Sequence, residues 1–274
     1  VSLPEMYFCY DFLIALRLAF KAGYLRMVLG LSLVLAFGVL LSAYFGGRQP
    51  VAVGLDVGFS VVRLLLPLMI VLLAQELLSR EFDRRYYLAS FTYPRARSGL
   101  LLGRFAAVLV LILVALVVLS LLQFGLVYFV SGIYPQATPV ALNFSFIIVV
   151  AFIWIDLVVL AALAALLAVI ASTPSFVLVG TFGFMLVARS YGAIINLLSH
   201  QAGLVSSTAE YRAGLSFLNY LLPDLGALDI RMFALYGKAE FLPSDWSLLL
   251  LNSFGYALAL LMLAVWLLQR KRFV

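Results

Sequence analysis

Charge is what this chain has least of. Only 11% of its 274 residues are Asp, Glu, Lys or Arg, against roughly a quarter in ordinary globular chains. Hydrophobic residues make up 66%, and mean hydropathy is +1.16. That composition excludes a water-soluble domain. A single cysteine, Cys9, excludes an internal disulfide and any cysteine-based metal cluster. A single histidine, His200, leaves no conventional histidine metal site and reads as a membrane-edge residue. Ser199 beside it makes no nucleophile–base pair, because neighbours on a helix point to different sides. Gly-x-Ser-x-Gly, His-Glu-x-x-His and the Walker A phosphate loop are all missing, so no catalytic constellation stands out and the chain lacks the ATP-binding part of a motor. The start, VSLPEMYFCYDF, has no basic segment ahead of its apolar run, so no cleavable signal peptide is expected there.

What the chain has instead is a series of apolar runs long enough to cross a bilayer, which takes about 20 residues as helix. Spans are expected at about residues 27–45, 59–78, 100–130, 144–170, 176–198 and 246–268. Residues 5–26 combine Arg17 and Lys21 at i,i+4 with Phe12, Leu16 and Ala19 on another face. They read either as a helix lying in the membrane interface or as an extension of the first span. Between Ser199 and Asp245, apolar residues from Tyr211 to Leu222 and again from Leu225 to Tyr236 recur at helical spacing around Pro223-Asp224. Short amphipathic helices on the outer leaflet fit this better than a small separate domain, which about 45 residues without disulfides would build poorly. The expected fold is therefore an all-α polytopic membrane protein, a single domain over 1–274 with six transmembrane helices.

The basic residues fall on one side of that layout. Arg17, Lys21, Arg26, the arginines of the 76–104 stretch, and Arg270, Lys271 and Arg272 share one face of the membrane; Arg48, Arg212, Arg231 and Lys238 share the other. The bias places both termini in the cytoplasm. The net charge of +6 thus reports membrane topology, and no nucleic-acid partner is expected. Tyr44, Tyr128, Tyr134, Trp246 and Trp266, near span ends, read as interfacial anchors.

The stretch between the second and third spans is the one charge-dense island. Glu76 and Arg80 form an i,i+4 pair of the favoured polarity, and Glu81 reaches Arg84 or Arg85. Pro94 then disfavours helix at Tyr93. Between them, Tyr86, Tyr87 and Phe91 belong to an aromatic segment too short to span and too apolar for a free loop. It calls for either the lipid interface or a protein partner.

The run Pro94-Arg95-Ala96-Arg97, followed by Leu101-Leu102-Gly103-Arg104 at the start of the third span, resembles the ABC type-2 permease family. Members carry a proline, two residues and an arginine, then Leu-Gly-Lys/Arg, at this place. The chain departs from many of them in having Asp83-Arg84-Arg85 where they have Ser-Gly after the acidic residue. The resemblance implies a cytoplasmic coupling helix here that docks into a separate ATPase subunit, with Glu76, Arg80, Glu81, Arg84, Arg85, Tyr86, Tyr87, Phe91, Pro94 and Arg97 as docking residues. It also implies an N-terminal interfacial helix and short external helices before the last span. The function it implies is that of the permease subunit of an ATP-driven exporter. That subunit would work as a dimer with a second copy or a related permease, in the cytoplasmic (inner) membrane of a bacterium or archaeon. The chain itself would not be an enzyme and would hold no cofactor, ATP and magnesium being bound by the partner. The other readings open to the sequence are an intramembrane lipid-modifying enzyme and a membrane anchor that transports nothing. A hydrophobic path with few charges leans toward lipid-like, peptide or amphiphilic cargo.

Three ionisable residues fall inside predicted spans: Arg63, Asp156 and Arg189. Each is costly to leave alone in hydrocarbon, so each faces the bundle interior, water, or another charge. Arg63, a few residues from the outer end of its span, is placed to snorkel. Asp156 and Arg189 lie at similar distances from the turn at 171–175 and so at similar depth. They read either as a structural ion pair or as the polar lining of a conduit that contacts an anionic substrate.

Overall fold

A computed structural model describes residues 3–79, 97–133, 140, 142–171, 173–201, 223–243 and 245–270. Among them there is no strand, and six helices are long and apolar enough to cross a membrane. Helix α1 is Leu3–Lys21, α2 Tyr24–Phe45, α3 Pro50–Ala74, continued by a π turn Gln75–Ser79, α4 Arg97–Ile133, α5 Phe144–Ile170, α6 Pro174–Gln201, α7 Arg231–Tyr236 and α8 Trp246–Arg270. The protein is a multi-pass membrane protein with α2–α6 and α8 as its spans.

Two boundaries differ from the sequence reading. The segment expected over 5–26 is cut in two at Gly23, whose φ of 96° lies in the left-handed region that glycine adopts without a Cβ penalty. Helix α1 ends there, and the first span starts at Tyr24 rather than near 27. The second span, expected from 59, starts at Pro50. Proline suits the first helical position because it has no N–H to leave unpaired.

The bundle is built around α5. Asp156 is the only charged residue of that helix, and its alanines (Ala161, Ala162, Ala164, Ala165 and Ala168 among them) let neighbours approach closely. It packs against α8, α3, α6 and α4. The small residues of α6 act in the same way at Gly180, where an added Cβ would lie 2.8 Å from Leu167 Cδ1, whereas Gly183 faces open space. Between α3 and α4, Gln123 sits over Gly58 and donates to the Leu55 carbonyl at 3.0 Å.

One end of the bundle gathers α1, the π turn, and the start of α4. Asp11 and Ala15 of α1 are buried, and Phe8 and Asp11 lie against Gly103 of α4. The Arg104 guanidinium donates to the Leu77 carbonyl, and Gln75 Nε2 donates to the Pro174 carbonyl at 2.8 Å. The far end of α8 lies there too, with Trp266 and Gln269 beside Leu102 and Arg270 stacked 4.2 Å over the Trp266 ring. The turn 46–49 between α2 and α3 lies at the opposite end.

Candidate functional site

The charged residues of the bundle converge from four parts of the chain. Helix α3 supplies Asp56, Ser60 and Arg63; α5 supplies Asp156; α6 supplies Arg189. The fourth contributor is residues 223–230, with Asp229 and then Arg231 at the start of α7. The sequence pattern there suggests helix from Leu225 onward, but helix forms only at Arg231–Tyr236. The preceding residues form a loop that buries Leu225, Leu228 and Ile230 in the core. The connection is thus not only a surface feature. Non-helical backbone at such a place is tolerable because protein surrounds it and takes up its polar groups. Asp224 Oδ1 accepts from the Ala227 N–H at 3.0 Å, and the Leu225 N–H donates to the Ala188 carbonyl at 3.2 Å. At Gly226 a Cβ would fall 2.5 Å from the Arg189 carbonyl, so the loop meets α6 through a residue that has none.

Asp156, fully buried, is the hub. Its Oδ2 accepts from Arg189 Nη2 at 2.6 Å and lies 3.4 Å from Arg63 Nη2. Arg63 also pairs with Asp229 at 2.7 Å and donates to the Leu225 carbonyl at 3.2 Å. Arg231 Nε lies 3.4 Å from the same Asp229 oxygen, and its Nη1 reaches Asp56 at 3.0 Å and Ser60 Oγ at 2.6 Å. Three guanidiniums and three carboxylates therefore form one connected network, which stitches the loop to α3, α5 and α6. Around Asp156, Arg63 and Arg189, in low dielectric, these charge-assisted bonds are strong and a member left alone is costly, whereas the Asp56–Arg231 pair is exposed.

Arg189 makes one further contact, with the carbonyl of Arg63 at 2.9 Å. That carbonyl would ordinarily accept from the N–H of residue 67, which is Pro67. The proline thus exposes an acceptor inside the bundle, and the arginine of α6 fills it.

The structure brings Asp156 and Arg189 together at matching depth. Arg63 stands elsewhere than its short predicted span put it: with α3 beginning at Pro50, it lies about three and a half turns inside the helix. It is buried and doubly paired rather than snorkelling. Sequence reasoning missed Asp56, Ser60, Asp229 and Arg231. The alternation Asp229-Ile230-Arg231 within an apolar stretch was the available signal. Of the docking residues, Arg80, Glu81, Arg84, Arg85, Tyr86, Tyr87, Phe91 and Pro94 lie outside the described residues, and Arg97 is described only as the backbone opening α4. Glu76 sits in the π turn and lines a cavity of about 280 Å³ with Ala19, Tyr24, Met27, Gln75 and Pro174.

Among the described residues no group of three or more His, Cys, Asp or Glu is placed to hold a metal ion. The network contains no nucleophile beside a base; its chemistry is ionic, with hydrogen-bond donors facing a second cavity, between α3, α6 and the loop. No protein-family model matches the chain, and no curated protein matches it.

Proposed function

We propose that this chain is the permease subunit of an ATP-driven exporter of the ABC type-2 class, with the α1 end of the bundle in the cytoplasm. Two such subunits, identical or related, would enclose the path above two separate ATPase subunits, in the inner membrane of a bacterium or archaeon. The observation that carries the reading is the pair of stems flanking residues 80–96. Helix α4 has 37 residues, about 55 Å of helix, and the Pro50–Leu78 span has 29, about 43 Å. Both exceed the roughly 30 Å of hydrocarbon. Their ends are tied by the bond from Arg104 to the Leu77 carbonyl. A charged and aromatic segment held on two projecting, cross-linked helices is suited to transmit force from a docked motor. The basic residues Arg17, Lys21, Arg26, Arg104 and Arg270 at the same end support its placement in the cytoplasm.

Purification of the tagged chain from its native membranes in mild detergent tests this. An ATPase with a phosphate loop should co-purify in stoichiometric amount, and its hydrolysis rate should change when the permease is removed. A chain that purifies without any ATPase, from membranes where it is abundant, overturns the proposal.

A further inference from the structure

The cavity beside the buried network has a chemistry that the network's own pairing does not exhaust. It encloses about 360 Å³, within the size range of small-molecule sites, and is lined by Ser60, Arg63, Leu64, Arg189, Gly226, Asp229 and Arg231. Three guanidiniums face one carboxylate there; Asp156 and Asp56 engage the arginines from outside the lining. Each guanidinium has five N–H donors, more than its partners here accept. Arg189 Nε is buried with no partner among the described residues. The three guanidiniums are balanced by Asp56, Asp156 and Asp229, so what the cavity offers is a wall of surplus N–H donors rather than net charge. Such a wall is suited to an oxyanion, which arginine binds through paired N–H bonds.

The cavity opens sideways. Ser60 and Leu64 form its edge on α3, and both are exposed, Leu64 by 56%. Val53 and Leu68 lie on the same helical face and are exposed as well, so an apolar strip runs along α3 past the arginines. Asp56 lies a little under two turns from the Pro50 end of the span, and Arg63 about two turns deeper, so the cavity sits in the outer half of the span. A polar pocket at that depth, joined to an apolar strip, matches a molecule with an acidic head and a hydrocarbon tail.

We propose that this cavity binds the oxyanionic headgroup of a lipid-like amphiphile, with Arg63, Arg189 and Arg231 holding the head and the Leu64–Leu68 face of α3 holding the tail. The site stands on this chain's geometry and does not depend on the exporter reading; where that reading holds, acidic amphiphiles become the cargo class.

The test uses the full chain in a neutral detergent. Its melting midpoint is followed while phosphatidic acid, phosphatidylcholine with the same acyl chains, or inorganic phosphate is added. Phosphatidic acid should raise the midpoint saturably and phosphatidylcholine should not. Arg231→Gln, at a half-exposed position, should weaken the apparent affinity about tenfold, the loss of one charge-assisted contact. Arg231→Lys should weaken it less, and Lys238→Gln, on an exposed residue away from the cavity, should leave it unchanged. Leu64→Trp narrows the opening without touching an arginine and should also weaken binding. Equal shifts from the two lipids overturn the proposal, as does unchanged phosphatidic acid binding in both Arg231→Gln and Leu64→Trp. A full shift from inorganic phosphate, with nothing added by the acyl chains, identifies a soluble oxyanion and overturns the amphiphile.

Discussion

Pro67 and Arg189 are complementary: the proline deprives the Arg63 carbonyl of its helical donor, and the arginine supplies one at 2.9 Å. The same guanidinium holds Asp156 through its other terminal nitrogen. A helix defect in α3 and a charge on α6 thus form a single joint. Pro67→Ala restores an N–H that can bond Arg63 within the helix. The Arg189 contact then becomes redundant. In a double-mutant cycle, Arg189→Gln should cost less in the Pro67→Ala background than in the wild type, by about 1 kcal/mol, the worth of one hydrogen bond. Detergent-solubilised melting curves of the four proteins measure it; strictly additive effects would show that the two residues act separately.

Asp156 should be the most sensitive position of the network. Its one engaged oxygen serves both Arg63 and Arg189, so Asp156→Asn takes the carboxylate partner from Arg189 and leaves Arg63 with Asp229 alone. Breaking a buried pair typically costs about 3–5 kcal/mol. Arg63→Gln and Arg189→Gln each leave Asp156 one guanidinium, so each should destabilise less than Asp156→Asn. Exchanging the residues at 156 and 189 would rescue an isolated pair. Here it should not, because it sets a second guanidinium against Arg63. Thermal stability of the purified variants gives the ranking, and rescue by the exchange would show that Arg63 takes no part.

The parts of this arrangement that could be read from sequence are those fixed by local chain physics. Six apolar runs of about 20 residues or more announce six spans, because a run of that length satisfies its own backbone as a helix across the hydrocarbon. Asp156 and Arg189 sit in adjacent helices joined by a tight turn, so counting residues from that turn sets their depth. The misread boundaries share one cause. Gly46-Gly47-Arg48-Gln49-Pro50 looks like a loop throughout, yet Pro50 begins the helix, and the nine residues assigned to the loop concealed Asp56 and the true depth of Arg63. At Gly23 the apolar and basic pattern continues while the helical backbone does not, so no local signal marks the break. Asp229 and Arg231 were illegible for a different reason. Their partners Arg63, Asp56 and Ser60 lie in α3, far away in sequence, and no local pattern reports a contact made by a loop folding back into a bundle.

The side assignment has a direct check. Cys9 is the only cysteine and is exposed on α1, so Cys9→Ser provides a cysteine-free background. Cysteines introduced at Ser98 and Ser207 should then react with a membrane-impermeant maleimide from opposite sides, Ser207 in intact cells and Ser98 only after the membrane is opened. In the wild type, Cys9 should behave as Ser98→Cys does. Labelling of both new sites in intact cells would mean that the chain crosses the membrane differently between them.

If the exporter reading is right, the segment between α3 and α4 carries its energetics in aromatic rings. Interface energy concentrates in aromatic and arginine side chains at the centre of a contact, where truncation often costs about 2 kcal/mol or more. Tyr87→Ala and Phe91→Ala should therefore release the ATPase or uncouple its hydrolysis from transport, with membrane insertion intact. Arg84→Gln and Arg85→Gln should act more weakly and mainly at low salt, since exposed charges steer and orient a partner and are screened beyond about 10 Å at 0.1 M ionic strength. Lys238→Ala, at the opposite end of the bundle from the two stems, should do neither. The readout is the ATPase-to-permease ratio after purification, together with the hydrolysis rate in reconstituted vesicles. Aromatic rings that merely rest on lipid would leave both values at the wild-type level in Tyr87→Ala and Phe91→Ala, and the docking surface would then have to be sought elsewhere on the α1 end, beginning with the cavity between Ala19, Tyr24 and Glu76.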